Sequence, residues 1–206
     1  MSLRYLTTFI IALCFGASAN ATMVFEDDFD ADVVGIPQPS LLNWNINSGT
    51  VDVVGPAAFG FLCDNGTAGN CLDLDGTPGN ATITTKLGLN LLAGDYAFSF
   101  DYGNNFGFDN VLQWSIGSLA NGSVASGGVP NDIYVNSLNT FSVGSDTNNV
   151  FIQFQQFGTP DNGGTVLDNV TLQFLGAAAV PAPGVPALLG LALVALGLRR
   201  SRSARD

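Results

Sequence analysis

Carboxylates are the main reactive side chains of this 206-residue sequence, which contains no histidine. Without imidazole the chain has no Ser-His-Asp or Cys-His catalytic site and no imidazole ligands for zinc, copper or iron. It also has no phosphate-binding loop and no dinucleotide-binding fingerprint. The remaining chemistries are a carboxylate pair that acts on a glycosidic bond and oxygen ligation of calcium.

Three carboxylates alternate near the start of the chain. Glu26, Asp28 and Asp30 occupy every second position, so in a strand they share one face. Because calcium prefers oxygen ligands, this spacing predicts a calcium site. Asp73-Leu74-Asp75-Gly76 is a second candidate, although it also fits a strand that ends in a turn. The alternative for all of these carboxylates is exposure to solvent at turns.

A stretch from 102 to 110 combines aromatic rings with amides, the groups that stack on sugar rings and bind sugar hydroxyls. The candidate sugar-binding residues are Tyr102, Asn104, Asn105, Phe106, Phe108 and Asp109. Trp44 and Trp114 are additional rings, but aromatic residues of a β-sandwich usually belong to its core.

Two cysteines flank a short polar segment. Cys63 and Cys71 lie eight positions apart and have no histidine nearby, which disfavours a zinc site. A disulfide between them is predicted for an oxidising compartment.

Short alternating segments separated by Gly, Asn, Asp and Pro predict an all-β fold. An antiparallel β-sandwich of jelly-roll type is favoured, with an immunoglobulin-like sandwich as the alternative. Residues 47–49 predict a hairpin turn. The expected strands are 23–29, 44–46, 50–54, 72–75, 81–87, 96–102, 111–116, 133–135, 139–143, 150–157 and 167–174.

The charge of the central region is strongly one-sided. Residues 22–176 contain sixteen acidic residues and a single basic one, Lys86. A surface with this charge repels nucleic acid and anionic lipid, so neither is expected as a partner. Divalent cations, cationic partners and neutral polymers remain.

Both ends of the chain resemble sorting signals. Residues 1–21 have the pattern of a signal peptide, with Arg4, an apolar segment and the small residues Ala19 and Ala21 before the cleavage position. Residues 22–176 would then be one exported domain. Residues 177–206 contain a proline motif at 180–184, an apolar segment at 185–198 and a basic end at 199–205.

This tail resembles the PEP-CTERM sorting domain of Gram-negative bacteria, in a variant with Ala182 where glutamate is usual. The resemblance implies anchoring in the inner membrane by a C-terminal helix, processing by an exosortase, and then a cell-surface or matrix location. An ordinary C-terminal membrane anchor is the alternative. The residues that carry the resemblance are Val180, Pro181, Pro183, Gly184, Arg199, Arg200 and Arg202.

The order of motifs between the signals is similar to that of jelly-roll carbohydrate-binding modules and galactose-binding-like domains. It runs from Phe25-Glu26-Asp27-Asp28-Phe29-Asp30 to Leu167-Asp168-Asn169-Val170-Thr171-Leu172. In those modules the first and last strands are neighbours and hold a structural calcium. The resemblance therefore implies that Asp168 completes a site with Glu26, Asp28 and Asp30.

Together these features predict a non-enzymatic, exported surface or matrix protein that is associated with exopolysaccharide or biofilm and binds carbohydrate. The alternatives are a purely structural matrix protein with no specific ligand and a glycosidase that uses a carboxylate pair.

Overall fold

The prediction of an all-β fold is confirmed by the computed structural model, which describes residues 21–56, 63, 69–106, 109–130 and 133–177. The strands are β1 (Thr22–Asp27), β2 (Gly35–Gln38), β3 (Trp44–Ser48), β4 (Val51–Val54), β5 (Cys71–Asp73), β6 (Thr82–Thr85), β7 (Leu89–Leu91), β8 (Gly94–Asn104), β9 (Val111–Ile116), β10 (Ala120–Ala125), β11 (Val135–Val143), β12 (Thr147–Val150), β13 (Ile152–Phe157) and β14 (Thr165–Gly176).

The strands form two large antiparallel sheets. Sheet A has seven strands in the order β11-β8-β14-β5-β4-β2, and β1 also pairs with β14. Sheet B has five strands in the order β10-β9-β13-β6-β3. Strands β7 and β12 form a separate two-stranded sheet.

Aromatic side chains fill the space between sheets A and B. The alternation predicted for residues 96–102 is confirmed, since Phe98 and Phe100 of β8 are buried. The ring of Phe98 lies 5.1 Å from that of Trp114 and 6.0 Å from that of Phe154, measured between centroids. Strand β8 of sheet A therefore packs on β9 and β13 of sheet B.

The last strand joins most of sheet A. One edge of β14 pairs with β8, and the other pairs with β5 near its start and with β1 near its end. The expectation that the first and last strands are neighbours is therefore confirmed. Between Asp168 and Thr171 the pairing with β8 shifts register, and Asn169 there has a φ of 50°.

The hairpin prediction for residues 47–49 was wrong. Strand β3 pairs with β6 in sheet B, whereas β4 pairs with β2 and β5 in sheet A, so the turn connects two different sheets. Gly49 has a φ of 68°, and a Cβ there would lie 1.9 Å from the carbonyl oxygen of Asn80. The turn requires glycine for both reasons.

Other strand boundaries differ from the predictions. Segments 133–135 and 139–143 correspond to the single strand β11, which begins at Val135, and segment 150–157 is divided between β12 and β13. Strands β2, β7 and β10 were not predicted, and only Val150 of β12 was. Strands β2, β10 and β12 are mostly polar or contain glycine or proline, which removes the apolar alternation that marks a strand, and β7 has only three residues, too few to show a pattern.

The predicted disulfide between Cys63 and Cys71 is confirmed, with both residues fully buried. Val54 and Val166 pack beside it in a small second core. The bridge therefore anchors the segment before β5 to sheet A.

The predicted sorting segments lie almost entirely outside the described residues. Ala19, the motif at 180–184, the apolar segment at 185–198 and the basic end at 199–205 are all outside, and Ala21 is the first described residue. Within the described residues, no helix is long and apolar enough to cross a membrane.

Trp44, one of the two tryptophans considered as sugar-stacking rings, is a core residue held by a buried hydrogen bond. Its ring lies between Phe25 and Phe154, at 5.4 and 5.7 Å between centroids. Its Nε1 donates to Asp27 Oδ2 at 2.6 Å, and Asp27 Oδ1 accepts from the backbone N–H of Phe29 at 3.0 Å. One carboxylate thus fixes both the tryptophan and the turn after β1.

We predict that Asp27→Ala lowers the free energy of unfolding by about 1–3 kcal/mol, because it leaves the buried indole N–H without an acceptor. Urea denaturation followed by tryptophan fluorescence measures this. Asp95→Ala is the matched control, since it also removes one negative charge but affects only an exposed hydrogen bond from Ser142. Equal losses in the two variants would contradict the structural role of Asp27.

Candidate functional site

The amides and carboxylate predicted to bind sugar in the 102–110 stretch have structural partners. Asn105 Nδ2 donates to Asp73 Oδ2 at 2.5 Å, and Asp109 accepts hydrogen bonds from the backbone and hydroxyl of Thr159. The hydrogen bonds from Thr159 lower the pKa of Asp109 below its usual range. Asn105 thus holds the end of β8 to β5, and Asp109 holds its own loop to the loop that contains Thr159.

The remaining members of this predicted site are spread over different environments. Tyr102 is half-buried beside Phe100, and Asn104 is buried. Phe106 is the exposed ring, with 58% of its surface accessible. Phe108 lies outside the described residues. A sugar platform on this loop stays a prediction that rests on Phe106 and Phe108.

The carboxylates predicted to bind calcium are only partly brought together. Glu26 and Asp28 line a pocket of about 310 Å³ together with Asn43 and Asn169. Asp27 also lines it, but both of its oxygens accept the hydrogen bonds described above. The amide and carboxylate oxygens of this pocket are of the kind that calcium prefers.

The other two predicted calcium ligands, Asp30 and Asp168, accept hydrogen bonds from backbone N–H groups. Asp30 Oδ1 accepts from the backbone N–H of Asn70 at 2.6 Å. Asp168 lies on β14 opposite Asp101 of β8, and its Oδ1 accepts from the N–H of Asn169 at 2.7 Å. Within the described ranges, no group of three or more acidic or cysteine side chains is arranged to hold a metal. The calcium site stays a prediction.

A second cluster of carboxylates is buried between β4, β5 and the loop before β14. Asp52 and Asp73 lie opposite each other in the β4–β5 pair. Asp73 Oδ1 accepts from the N–H groups of Asp75 and Gly164, and Asp75 Oδ2 accepts from those of Asp161 and Gly163. The Asp73-Leu74-Asp75-Gly76 segment is therefore a clamp that holds the 161–164 loop to sheet A.

Burial controls the ionisation of this cluster. Removal from water raises the pKa of Asp73 to about 7, against the hydrogen bonds from Asn105 and Asp75 that lower it, and the charges of Asp52 and Asp75 raise it further. Burial likewise raises the pKa of Asp52 above its usual range. Near neutral pH, Asp73 is thus partly protonated in the folded domain.

The outer face of sheet B carries a surface that sequence reasoning missed. Ten side chains form two rows across all five strands, each row following the residue pairing between strands; nine are exposed or half-buried, and Thr82 is buried. One row contains Asn45, Thr84, Gln153, Ser115 and Asn121, and the other contains Ser48, Thr82, Gln155, Gln113 and Ser123. We call these ten residues the neutral face.

Every side chain of the neutral face is an amide or a hydroxyl. Such groups donate and accept hydrogen bonds without carrying charge. Strands β10, β9 and β13 enclose a concave pocket of about 370 Å³ on this face, lined by Gln113, Trp114, Ser115, Asn121, Gly122, Ser123, Gln153 and Gln155.

Glycine shapes one wall of this pocket. Gly122 of β10 lies opposite Trp114 of β9, and a Cβ at Gly122 would lie 2.7 Å from the indole ring. Trp114 is buried and belongs to the core, so its ring covers the glycine from the inside. The second tryptophan considered for sugar stacking is thus also a core residue.

The charges of the strands are confined to one sheet. None of the five strands of sheet B contains an ionisable side chain, whereas the strands of sheet A contain seven carboxylates. The signal in the sequence was the alternation of polar uncharged residues, as in Gln153-x-Gln155 and Gln113-x-Ser115. These residues lie on one face because of the way the strands pair, and strand pairing cannot be read from the sequence.

No family model and no curated protein matches this sequence. Among solved structures, the chain is similar to the CBM22-1 and GH10 modules of an endo-1,4-β-D-xylanase from Clostridium thermocellum complexed with xylohexaose. That match has 14% identity over 78% of this chain and 30% of that chain, with a TM-score of 0.47.

Two further structures are matched nearly over their full length. The C-terminal CBM6 of a marine laminarinase from Zobellia galactanivorans has 12% identity over 74% of this chain and 98% of that chain, with a TM-score of 0.44. A putative sugar-binding protein from Bacteroides thetaiotaomicron has 12% identity over 74% and 100%, with a TM-score of 0.43. Likenesses at these values carry no conclusion about function.

We predict that the domain becomes more stable as the pH falls from 7 towards 4. The folded pKa of Asp73 lies above its ordinary value of 3.8, so the folded state holds a proton in this window that the unfolded chain has released. Stability then changes by at most about 1.4 kcal/mol per pH unit for this one proton. Thermal or urea unfolding at several pH values measures the slope.

Asp73→Asn should flatten this slope, because the amide cannot ionise and Asn105 can turn its own amide to pair with it. Asp109→Asn is the control, since Asp109 is exposed and its lowered pKa places its titration below the window. If the pH dependence of stability is the same in Asp73→Asn as in the unmodified protein, Asp73 is not the group responsible for it.

We also predict that millimolar calcium raises the melting temperature more than sodium chloride of matched ionic strength, because an ion that binds only the folded form stabilises it. Glu26→Gln and Asp28→Asn, at the two predicted ligands that line one pocket, should each reduce this excess. Asp146→Asn, which keeps the oxygen that accepts from Ala93, should not. An equal response to both salts would mean screening of the negative domain, with no calcium site.

Proposed function

We propose that residues 22–176 form an exported, non-enzymatic module that binds a neutral polysaccharide on the neutral face of sheet B. The observation that carries this proposal is the two rows of uncharged amides and hydroxyls across five strands, in a domain that contains sixteen carboxylates and only one lysine. The sandwich would then serve as a binding module of jelly-roll type.

The chemistry of the face matches that of a neutral sugar polymer. Sugar hydroxyls donate and accept hydrogen bonds, and amides and hydroxyls do the same. Strands lie about 4.8 Å apart, so each row of five residues extends over about 19 Å, enough to contact several sugar units of an extended chain. Acidic polysaccharides are disfavoured, because the surrounding carboxylates repel them and the face supplies no cation.

The same face argues for binding without hydrolysis. A glycosidase needs a pair of carboxylates on either side of the bond it cleaves, and the ten residues of the neutral face include no carboxylate. A polysaccharide bound there is held by hydrogen bonds only. The glycosidase alternative would require a carboxylate pair elsewhere in the domain.

The cellular setting of the proposal comes from the sequence. A signal peptide at 1–21 and a PEP-CTERM-like tail at 177–206 support export, transient anchoring in the inner membrane by the C-terminal helix, processing by an exosortase and delivery to the surface or matrix. There the module would hold exopolysaccharide of the biofilm. Calcium would have a structural role near β1.

We predict that the protein is retarded in affinity gels that contain a neutral polysaccharide but not in gels that contain a polymer of uronic acids. A panel of neutral glucans, galactans and xylans supplies the probes. The double variant Gln113→Ala and Gln155→Ala should weaken binding about thirtyfold, because it removes two hydrogen-bonding groups of about 1 kcal/mol each.

Asn148→Ala is the matched control, since it removes an exposed amide from β12, outside sheet B. Circular dichroism should show that all variants remain folded. If no neutral polymer retards the protein and it still localises to the matrix, the purely structural alternative replaces the binding proposal.

A further inference from the structure

The edge of sheet A formed by β11 is open, long and uncharged. Within the described part of the chain, β11 pairs only with β8, through nine consecutive residue pairs without a register shift. Its nine residues contain no charged side chain and no proline. At about 3.4 Å per residue, they present about 31 Å of unpaired backbone edge.

The other described edges have features that oppose pairing, or are shorter. Strand β2 has four residues, includes Pro37 and shifts register against β4. Strand β3 has five residues and shifts register against β6, and β10 has six residues with Gly122 in its interior. Proteins protect edges in these ways, and β11 has none of these protections.

We propose that β11 pairs antiparallel with β11 of a second copy of this chain, around a two-fold axis at Asn139. This register uses all nine residues: Val135 lies opposite Val143 of the second copy, Leu138 lies opposite Thr140, and Asn139 lies opposite itself. The two sheets A then form one sheet of fourteen strands. This interface is separate from the neutral face of sheet B and does not depend on the proposed function.

The backbone geometry of β11 permits this register. In an antiparallel edge, alternate residues turn both their N–H and C=O groups outward. The register pairs odd-numbered with odd-numbered and even-numbered with even-numbered residues, so outward-facing groups meet outward-facing groups. The core-facing residues of both copies also lie on the same side of the joined sheet, with Phe141 stacked on Tyr96 in each.

Electrostatics favours a second copy at this place over other parts of the surface. Two copies with this excess of carboxylates repel one another except where charge is absent. The neighbouring strand β8 carries two carboxylates, and β11 supplies a donor to each: Asn136 Nδ2 donates to Asp101 at 2.7 Å, and Ser142 Oγ donates to Asp95 at 2.5 Å.

The spacing of these carboxylates across the interface is also favourable. In the joined sheet, three strand spacings of about 4.8 Å separate β8 of one copy from β8 of the other, about 14 Å in total. This exceeds the Debye length of about 8 Å at physiological ionic strength. The association should therefore strengthen as salt rises from low to physiological concentration.

Leu138 supplies apolar surface for the contact, since 66% of its side chain is exposed in the single copy. On a strand that itself contains no charged side chain, this exposure is unfavourable in water and is relieved by pairing.

The test uses the full-length chain in a Cys14→Ser background, so that its only cysteines are those of the Cys63–Cys71 disulfide. Sedimentation velocity should show a monomer–dimer equilibrium that depends on protein concentration. Asn139→Asp places two carboxylates directly opposite each other, about 5 Å apart, and should weaken the dimer about tenfold or more. Lowering the pH below about 4 should restore it, because the carboxylates are then neutral.

Asn148→Asp is the matched control, because it adds the same charge on β12 and should leave the equilibrium unchanged. Asn139→Cys should give a disulfide-linked dimer on mild oxidation, since directly paired residues have the Cα separation that a disulfide needs. A protein that stays monomeric overturns the proposal. So does a dimer that responds equally to both Asp variants, or one that Asn139→Cys does not cross-link, because its interface lies elsewhere.

Discussion

The shortage of cations is the constraint on which the rest of this domain depends. Sixteen carboxylates share residues 22–176 with one lysine, so most of them cannot be paired with a positive side chain. The structure gives them N–H and O–H donors instead, mostly from turns: Asp27 binds the turn after β1, Asp32 binds the N–H of Leu42, and Asp75 holds the 161–164 loop. The carboxylates thus act as connectors between loops, and burial of some of them raises their pKa.

The same constraint separates the two sheets by chemistry. Sheet A and its loops carry the carboxylates, and sheet B carries none on its strands. In a domain of this charge, contact with another large molecule is easiest where charge is absent. Among the residues that the structure describes, the neutral face of sheet B and the edge of β11 are two such places, and they differ in what they present. The face presents side-chain amides and hydroxyls, whereas the edge presents backbone.

The features that sequence predicted well are those set by local pattern. The alternation around Phe98 fixed a strand and its buried face, and the strand predicted at residues 111–116 has the bounds observed for β9. The features it missed depend on which strands become neighbours. Asn47-Ser48-Gly49 has the composition of a hairpin turn but joins two sheets, and Gln113 and Gln155 look like ordinary surface residues until pairing aligns them. Asn105 resembled a sugar ligand because its buried partner, Asp73, is distant in sequence.

Lys86 also determines how susceptible the domain is to proteases that cut after basic residues. Enzymes that cut after lysine or arginine find a single such residue between positions 22 and 176. Both the backbone and the side chain of Lys86 are hydrogen-bonded. Its backbone N–H donates to the carbonyl oxygen of Asn43 at 2.8 Å, and its ammonium group donates to the carbonyl oxygen of Leu41. Cleavage there would require the segment after β6 to separate from the residues just before β3. The shortage of cations therefore also limits digestion of this domain by trypsin-like enzymes.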